Sequence, residues 1–127
     1  TDLSYLTSIS NGADVTIDLK KNVTIANAIA ISASNANVTI NGNSNTITYT
    51  GSDRVIDVRK EGVGTNLTIN NLIVNVTSGY SERGINYNTN GTLVLDHFHL
   101  GHYLMNKMLA IVPSHSLQLT ALFLPFK

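Results

Sequence analysis

The chain contains no cysteine and no tryptophan. Without cysteine there is no disulfide framework and no thiolate metal site. Only eight residues are aromatic, too few for a strong sugar-stacking platform. Charged residues make up 13%, and the formal net charge is zero. That balance gives no electrostatic case for nucleic acid, whose binders carry basic patches, and none for an anionic membrane surface. No run of about 18 apolar residues is present, so no membrane-inserting helix is expected. A signal peptide is also missing, and the chain starts at Thr1, as expected for a processed product or an excised piece. Both prolines, both methionines, all four histidines and all three phenylalanines lie in the last 32 residues. The first 95 residues are rich in β-branched side chains and in asparagine, of which the whole chain holds 16.

Those residues are ordered. A short motif returns four times, as Val15-Thr-Ile-Asp18, Val38-Thr-Ile-Asn41, Leu67-Thr-Ile-Asn70 and Leu93-Val-Leu-Asp96, at offsets of 23, 29 and 26 residues. Repeats of roughly 20–50 residues mark architectures in which one unit stacks on the next. Between the motifs lie further β-type runs: Val23 to Ala26 and Ile29 to Ser32, then Thr46 to Thr50 and Arg54 to Val58, then Leu72 to Val76 and Gly84 to Asn88. A period spanning three strands predicts an all-β parallel β-helix, a solenoid fragment of three to four rungs. A sandwich would instead show hairpin turns every 8–12 residues or so.

Period-two alternation predicts that Val15, Ile17 and Leu19 face inward, with Val38, Ile40, Leu67 and Ile69. Thr16, Thr39 and Thr68 then face solvent. Outward threonines also line ice-binding solenoids, but the unequal offsets and Val94 argue against the regular lattice those need. The fourth motif position is always Asp or Asn, so it is expected to turn the corner, where Asn and Asp tolerate the left-handed region. Stacked side-chain amides at that position are expected to form a ladder.

Residues 1–12 predict a short amphipathic capping helix, with Leu3, Leu6 and Ile9 on one face and Asn11-Gly12 as its end. The cap and the rungs make one domain over residues 1–96. Residues 97–127 change character: asparagine nearly vanishes and leucine becomes dense. Two readings fit them. One is a C-terminal cap with Leu100, Leu104, Met105, Met108 and Leu109 on a helical face ended by Pro113. The other is a shifted reading frame.

The stretch Asn37-Val-Thr-Ile-Asn-Gly-Asn-Ser-Asn-Thr-Ile47 resembles a corner of pectate-lyase-like right-handed β-helices. Arg54-Val-Ile-Asp-Val58 and Asn66-Leu-Thr-Ile-Asn-Asn-Leu72 resemble the rungs that follow it. The family most similar is the pectate-lyase-like adhesive domain of Gram-positive bacterial surface proteins. The resemblance covers roughly residues 2–96. It implies a right-handed β-helix in a secreted or cell-wall-attached protein, used non-enzymatically for adhesion to a polysaccharide or a host surface component. The true lyases imply an alternative: a polysaccharide-degrading domain with weak or lost chemistry, using calcium on a carboxylate cluster beside a basic residue. No such cluster stands at matching positions, so no catalytic residue, resident metal or cofactor is expected.

The candidate ligand-binding residues are therefore polar groups on a rigid scaffold. Asp53, Arg54, Asp57 and Arg59, with Lys60 and Glu61, form the densest charge group, able to bind a sugar or simply to make surface ion pairs. Arg54 is placed to pair locally with Asp57. Tyr80 and Arg83, in the loop from Ser78 to Gly84, are candidates for sugar stacking and hydrogen bonding. His97 and His99 are expected on one strand face with His102 nearby, as a chance cluster or a zinc site. Five Asn-x-Ser/Thr sequons, at Asn22, Asn37, Asn66, Asn75 and Asn90, follow from the Asn–Thr phasing of the repeat.

Overall fold

A buried strand must pair every backbone N–H and C=O, and in this chain the partner is the equivalent strand one repeat away. The computed structural model describes residues 3–59, 63–77, 84–87 and 90–101, and the backbone of residues 103–112 and 117–120. The first repeat contributes β1 (Asp14–Asp18), β2 (Val23–Ile25) and β3 (Ile29–Ile31). The second contributes β4 (Asn37–Asn41), β5 (Thr46–Tyr49) and β6 (Ile56–Val58), and the third β7 (Asn66–Val76) and β8 (Gly84–Tyr87). The fourth opens with β9 (Gly91–Leu100) and is followed by β10 (Tyr103–Val112) and β11 (Leu117–Thr120).

The structure is mostly β, with parallel sheets curled into a half-barrel. Its registers align like with like. Val15 lies opposite Val38, Val38 opposite Leu67 and Leu67 opposite Leu93; Ile17, Ile40, Ile69 and Leu95 form the parallel row beside them. A second column carries Val23, Ile47, Val74 and Leu100, and a third Ile29, Ile56 and Ile85. The Ile17, Ile40 and Ile69 side chains are fully buried, and each such burial contributes about 1.5–3 kcal/mol.

The unequal offsets do not disturb this registration. Repeat two is six residues longer than repeat one, with one extra residue at the first corner (42–46 against 19–22), three in 50–55 and two in 59–65. Added residues accumulate in connections because one extra residue inside a strand would turn its whole apolar set outward. The objection from unequal offsets to evenly spaced threonines therefore fails; Val94 remains, opposite Thr68.

Several expectations are corrected. The Asp and Asn of the fourth motif position stay within their strands, and the left-handed residue comes just after. It is Asn71 (φ 53°) in β7 and His97 (φ 51°) in β9, while repeat two uses Asn43 (φ 53°) and Ser44 (φ 64°). A single left-handed residue bends the strand without ending its pairing. Leu67–Ile69 and Leu72–Val76 thus merge into β7, and the fourth repeat continues through Phe98–Leu100, paired to Leu72–Val74.

The N-terminal segment is a short 3-10 helix, η1 (Leu3–Ser8), and not an amphipathic α-helix. Its hydroxyls compete for backbone acceptors: Thr7 Oγ1 donates to the Ser4 carbonyl at 2.8 Å and Ser8 Oγ to that of Tyr5 at 3.1 Å. Leu3 and Leu6 are nonetheless buried, and η1 packs on β3. Residues 103–112 form a strand, not a helix, pairing antiparallel with β9 from Tyr103 opposite Leu100 to Val112 opposite Gly91. The open edge of β9 offered unpaired backbone groups, and a tight turn at Gly101 (φ 60°) brings the chain back onto it. β11 closes β8 in the same antiparallel sense.

Gly42 sits where the second-repeat corner presses on the third. A Cβ there would lie 2.4 Å from the Asn71 carbonyl oxygen and 2.7 Å from the Leu72 Cα, both backbone atoms. Gly42→Ala is expected to destabilise the chain by about 1–3 kcal/mol in urea unfolding, as overpacking of a rigid contact does. An unchanged midpoint would show that the two corners are not in contact.

Candidate functional site

The outward positions of the first column form a grid. Each of the first three repeats presents an amide or carboxylate, a threonine, and another amide or carboxylate: Asp14, Thr16 and Asp18, then Asn37, Thr39 and Asn41, then Asn66, Thr68 and Asn70. Neighbouring rows are about 4.8 Å apart, and positions along a row about 6.8 Å. The alternation that buries Ile17, Ile40 and Ile69 forces these residues outward.

Two hydrogen-bond ladders fix the margins of the grid. On one side Asn37 Nδ2 donates to Asp14 Oδ1 at 2.8 Å and Asn66 Nδ2 to Asn37 Oδ1 at 2.7 Å. The Thr92 backbone N–H then donates to Asn66 Oδ1 at 2.9 Å. On the other side Asn41 Nδ2 donates to Asp18 Oδ1 and Asn70 Nδ2 to Asn41 Oδ1, both at 3.0 Å. Every rung donates toward the N-terminal end, so each ladder finishes on a carboxylate, which accepts only. The predicted ladder at positions 18, 41 and 70 is present. The sister ladder at 14, 37 and 66 recurs at the same offsets, so the repeating unit is five residues, not four. Among the described residues no hydrogen bond engages the hydroxyls of Thr16, Thr39 or Thr68.

A third step lies on the other sheet, where Asn86 Nδ2 donates to Asp57 Oδ1 at 2.8 Å. Asn86 Oδ1 is buried and has no hydrogen-bond partner among the described residues. Its residue lies opposite Gln118 in the backbone register.

The sequence-predicted charge group divides in two. Arg54 pairs with Asp53, Nη1 to Oδ1 at 3.4 Å, and not with Asp57. Both precede β6 on the longer second-repeat connection. Asp57 instead pairs with Arg59, Oδ2 to Nε at 3.5 Å, because residues two apart on an extended chain share a face. Exposed pairs of this kind contribute about 0–1 kcal/mol each. Lys60, Glu61, Tyr80, Arg83 and His102 lie outside the described residues. His97 stands at the left-handed corner, its Nδ1 2.7 Å from Asp96 Oδ1. The corner resets the alternation, so His99 belongs to the next stretch of strand, opposite Ile73. No group of three or more His, Cys, Asp or Glu side chains able to hold a metal occurs among the described residues. None of their helices is long and apolar enough to cross a membrane.

Behind the grid a buried knot joins the third column to the first. Thr65 Oγ1 donates to the Ala33 carbonyl and accepts the Ala36 N–H at 3.2 Å, while the Tyr87 hydroxyl donates to the Thr65 carbonyl. Burial pushes the Tyr87 pKa from 10.0 up to about 12. The neutral phenol is thus favoured in the folded chain. Its stabilisation is complete below pH 10 and is lost as pH rises from about 10 to 12, because the unfolded chain ionises first. Urea midpoints at pH 9 and 11 are expected to show a loss of about 1.4 kcal/mol per pH unit above 10 beyond that of Tyr87→Phe. Equal losses in the two proteins would remove Tyr87 as the cause.

The ladders make a separate prediction. Asn41→Asp removes the donor between Asp18 and Asn70 and sets two carboxylates on adjacent rungs. It is expected to cost about 1–3 kcal/mol in thermal or urea unfolding, the loss for an interrupted bond to a charged group. Adding Asp18→Asn is expected to recover much of that cost, and strict additivity of the two changes would contradict the ladder.

No family model matches the chain, and no curated protein or solved structure matches it either. What the chain does must therefore be argued from its own residues.

Proposed function

We propose that the chain is a stretch of right-handed parallel β-helix serving as a non-enzymatic surface-interaction module, similar to the pectate-lyase-like adhesive domains of bacterial surface proteins. Parallel pairing of like residues in three columns supports the solenoid, and parallel crossovers are right-handed in about 98% of cases. The single observation that carries the function is the grid. It places three threonine hydroxyls in one straight row between two ladders that lock the flanking side chains.

Such a row suits a polysaccharide. Hydroxyls donate and accept, as sugar hydroxyls do, and a rigid strand scaffold spares the entropy of ordering them. Each neutral hydrogen bond contributes only about 0.5–1.5 kcal/mol, so binding must come from several rungs acting together. The module would work secreted or wall-attached, where long glycans are the partners available. The Asp57–Arg59 pair on the other sheet is a secondary contact.

A glycan array probed with the purified chain and with Thr39→Val tests this. The expected result is retention on a polysaccharide of the unmodified chain and about two- to tenfold weaker retention of the variant, with unfolding stabilities within about 0.5 kcal/mol of each other. No retention of either protein, or calcium-dependent release of unsaturated uronides from an acidic polysaccharide, would overturn the proposal.

A further inference from the structure

The N-terminal end of the stack is an open sheet edge. In the strand order of the larger sheet β1 and β2 are terminal, each with a single partner among the described strands; at the far end β10 on β9 and β11 on β8 are antiparallel additions, each likewise with a single described partner. Val15, Val23 and Ile25 are only partly buried there, although their counterparts Val38, Ile47 and Tyr49 are at most 1% exposed. η1 packs on β3 and leaves a cavity of about 400 Å³ between Leu3 and the β2 edge. An edge of this kind recruits another strand unless something prevents it.

We propose that the outer edge of β1 is a docking edge for a second copy of this chain, about a two-fold axis through Thr16, and that Asp14 and Asp18 hold it shut. The backbone polarity selects Thr16. The Ala13 carbonyl and the Leu19 N–H both bond to β4 or its flank, so the odd positions of β1 face inward along the sheet. By the same alternation the N–H and C=O of Asp14, Thr16 and Asp18 point to the open side. An antiparallel partner centred on Thr16 exchanges both backbone bonds between the two Thr16 residues. It also sets Asp14 of one copy directly opposite Asp18 of the other, twice over.

Like charges directly opposite destabilise a strand pair. The ladders add a second obstacle: they end on side chains with no N–H to donate across the seam. Asparagine at either position would keep the acceptor that Asn37 and Asn41 use and supply the missing donor. Because the two-fold pairing uses the same edge of both copies, it closes on itself and yields a dimer, not a filament. This pairing requires no glycan.

Sedimentation velocity over a concentration series at low ionic strength tests it, with far-UV circular dichroism confirming that each variant is folded. The unmodified chain is expected to be monomeric, and Asp14→Asn/Asp18→Asn to form a dimer at least tenfold more tightly. Adding Thr16→Pro to that variant removes the central outward N–H and is expected to restore the monomer. Asp14→Lys/Asp18→Lys is expected to be monomeric alone but to form a salt-sensitive one-to-one dimer with the unmodified chain. Equal association of the unmodified chain and the asparagine variant would overturn the proposal, as would filaments, or a lysine mixture that stays monomeric.

Discussion

The structure depends on parallel backbone pairing between identical positions of successive repeats. Because each strand finds its partners one repeat away, the interior becomes rows of aliphatic side chains about 4.8 Å apart. Ile17, Ile40, Ile69 and Leu95 are one such row. No row is stable alone, since a repeat in isolation has an uncovered face and unpaired edges. The rest follows from keeping that registration. Residues beyond the shortest repeat are displaced into connections, and that is where Asp53 and Arg54 fall. The charge group therefore has a topological origin that requires no ligand.

The same registration turns outward side chains into ladders. An amide stacked on an amide at strand spacing can donate to one neighbour while accepting from the other, which gives the ladder a direction. Here both ladders of the first column run toward the first repeat and stop on Asp14 and Asp18. A carboxylate is a suitable last member: it accepts from the rung above and carries a charge into solvent. The grid and its boundary thus come from one motif, with Asn inside the stack and Asp at its end. In the third column Asn86 likewise donates to Asp57, but Asp57 lies on the middle strand β6 opposite Ala30, so that ladder stops one strand short of the edge.

The corners show how little backbone irregularity this plan needs. One left-handed residue, Asn71 or His97, carries a strand from the first column to the second without interrupting its pairing. Asn and His are among the non-glycine residues most often found in that region. Gly42 solves the neighbouring problem of close approach, since any side chain would strike the backbone of the repeat beside it.

The sequence by itself determined the strands of the first three repeats, their inward rows and one ladder. Alternation of Val, Thr and Ile dictates which side of a strand is apolar, and the recurrence of Val15, Val38, Leu67 and Leu93 dictates which strands stack. The second ladder was legible too, in Asp14, Asn37 and Asn66, once the unit is taken as five residues. Only the tertiary structure decided the rest. A left-handed φ is a property of one residue, and Asn70 and Asn71 are chemically the same, so composition could not say which turns. The hydroxyl-rich η1 adopted a 3-10 turn because local hydrogen bonds outweigh weak helix propensity over six residues. The segment 103–112 carries apolar residues on nearly every side and suits helix or strand alike. The unpaired edge of β9 made it a strand, because a partner already in place satisfies a backbone at once.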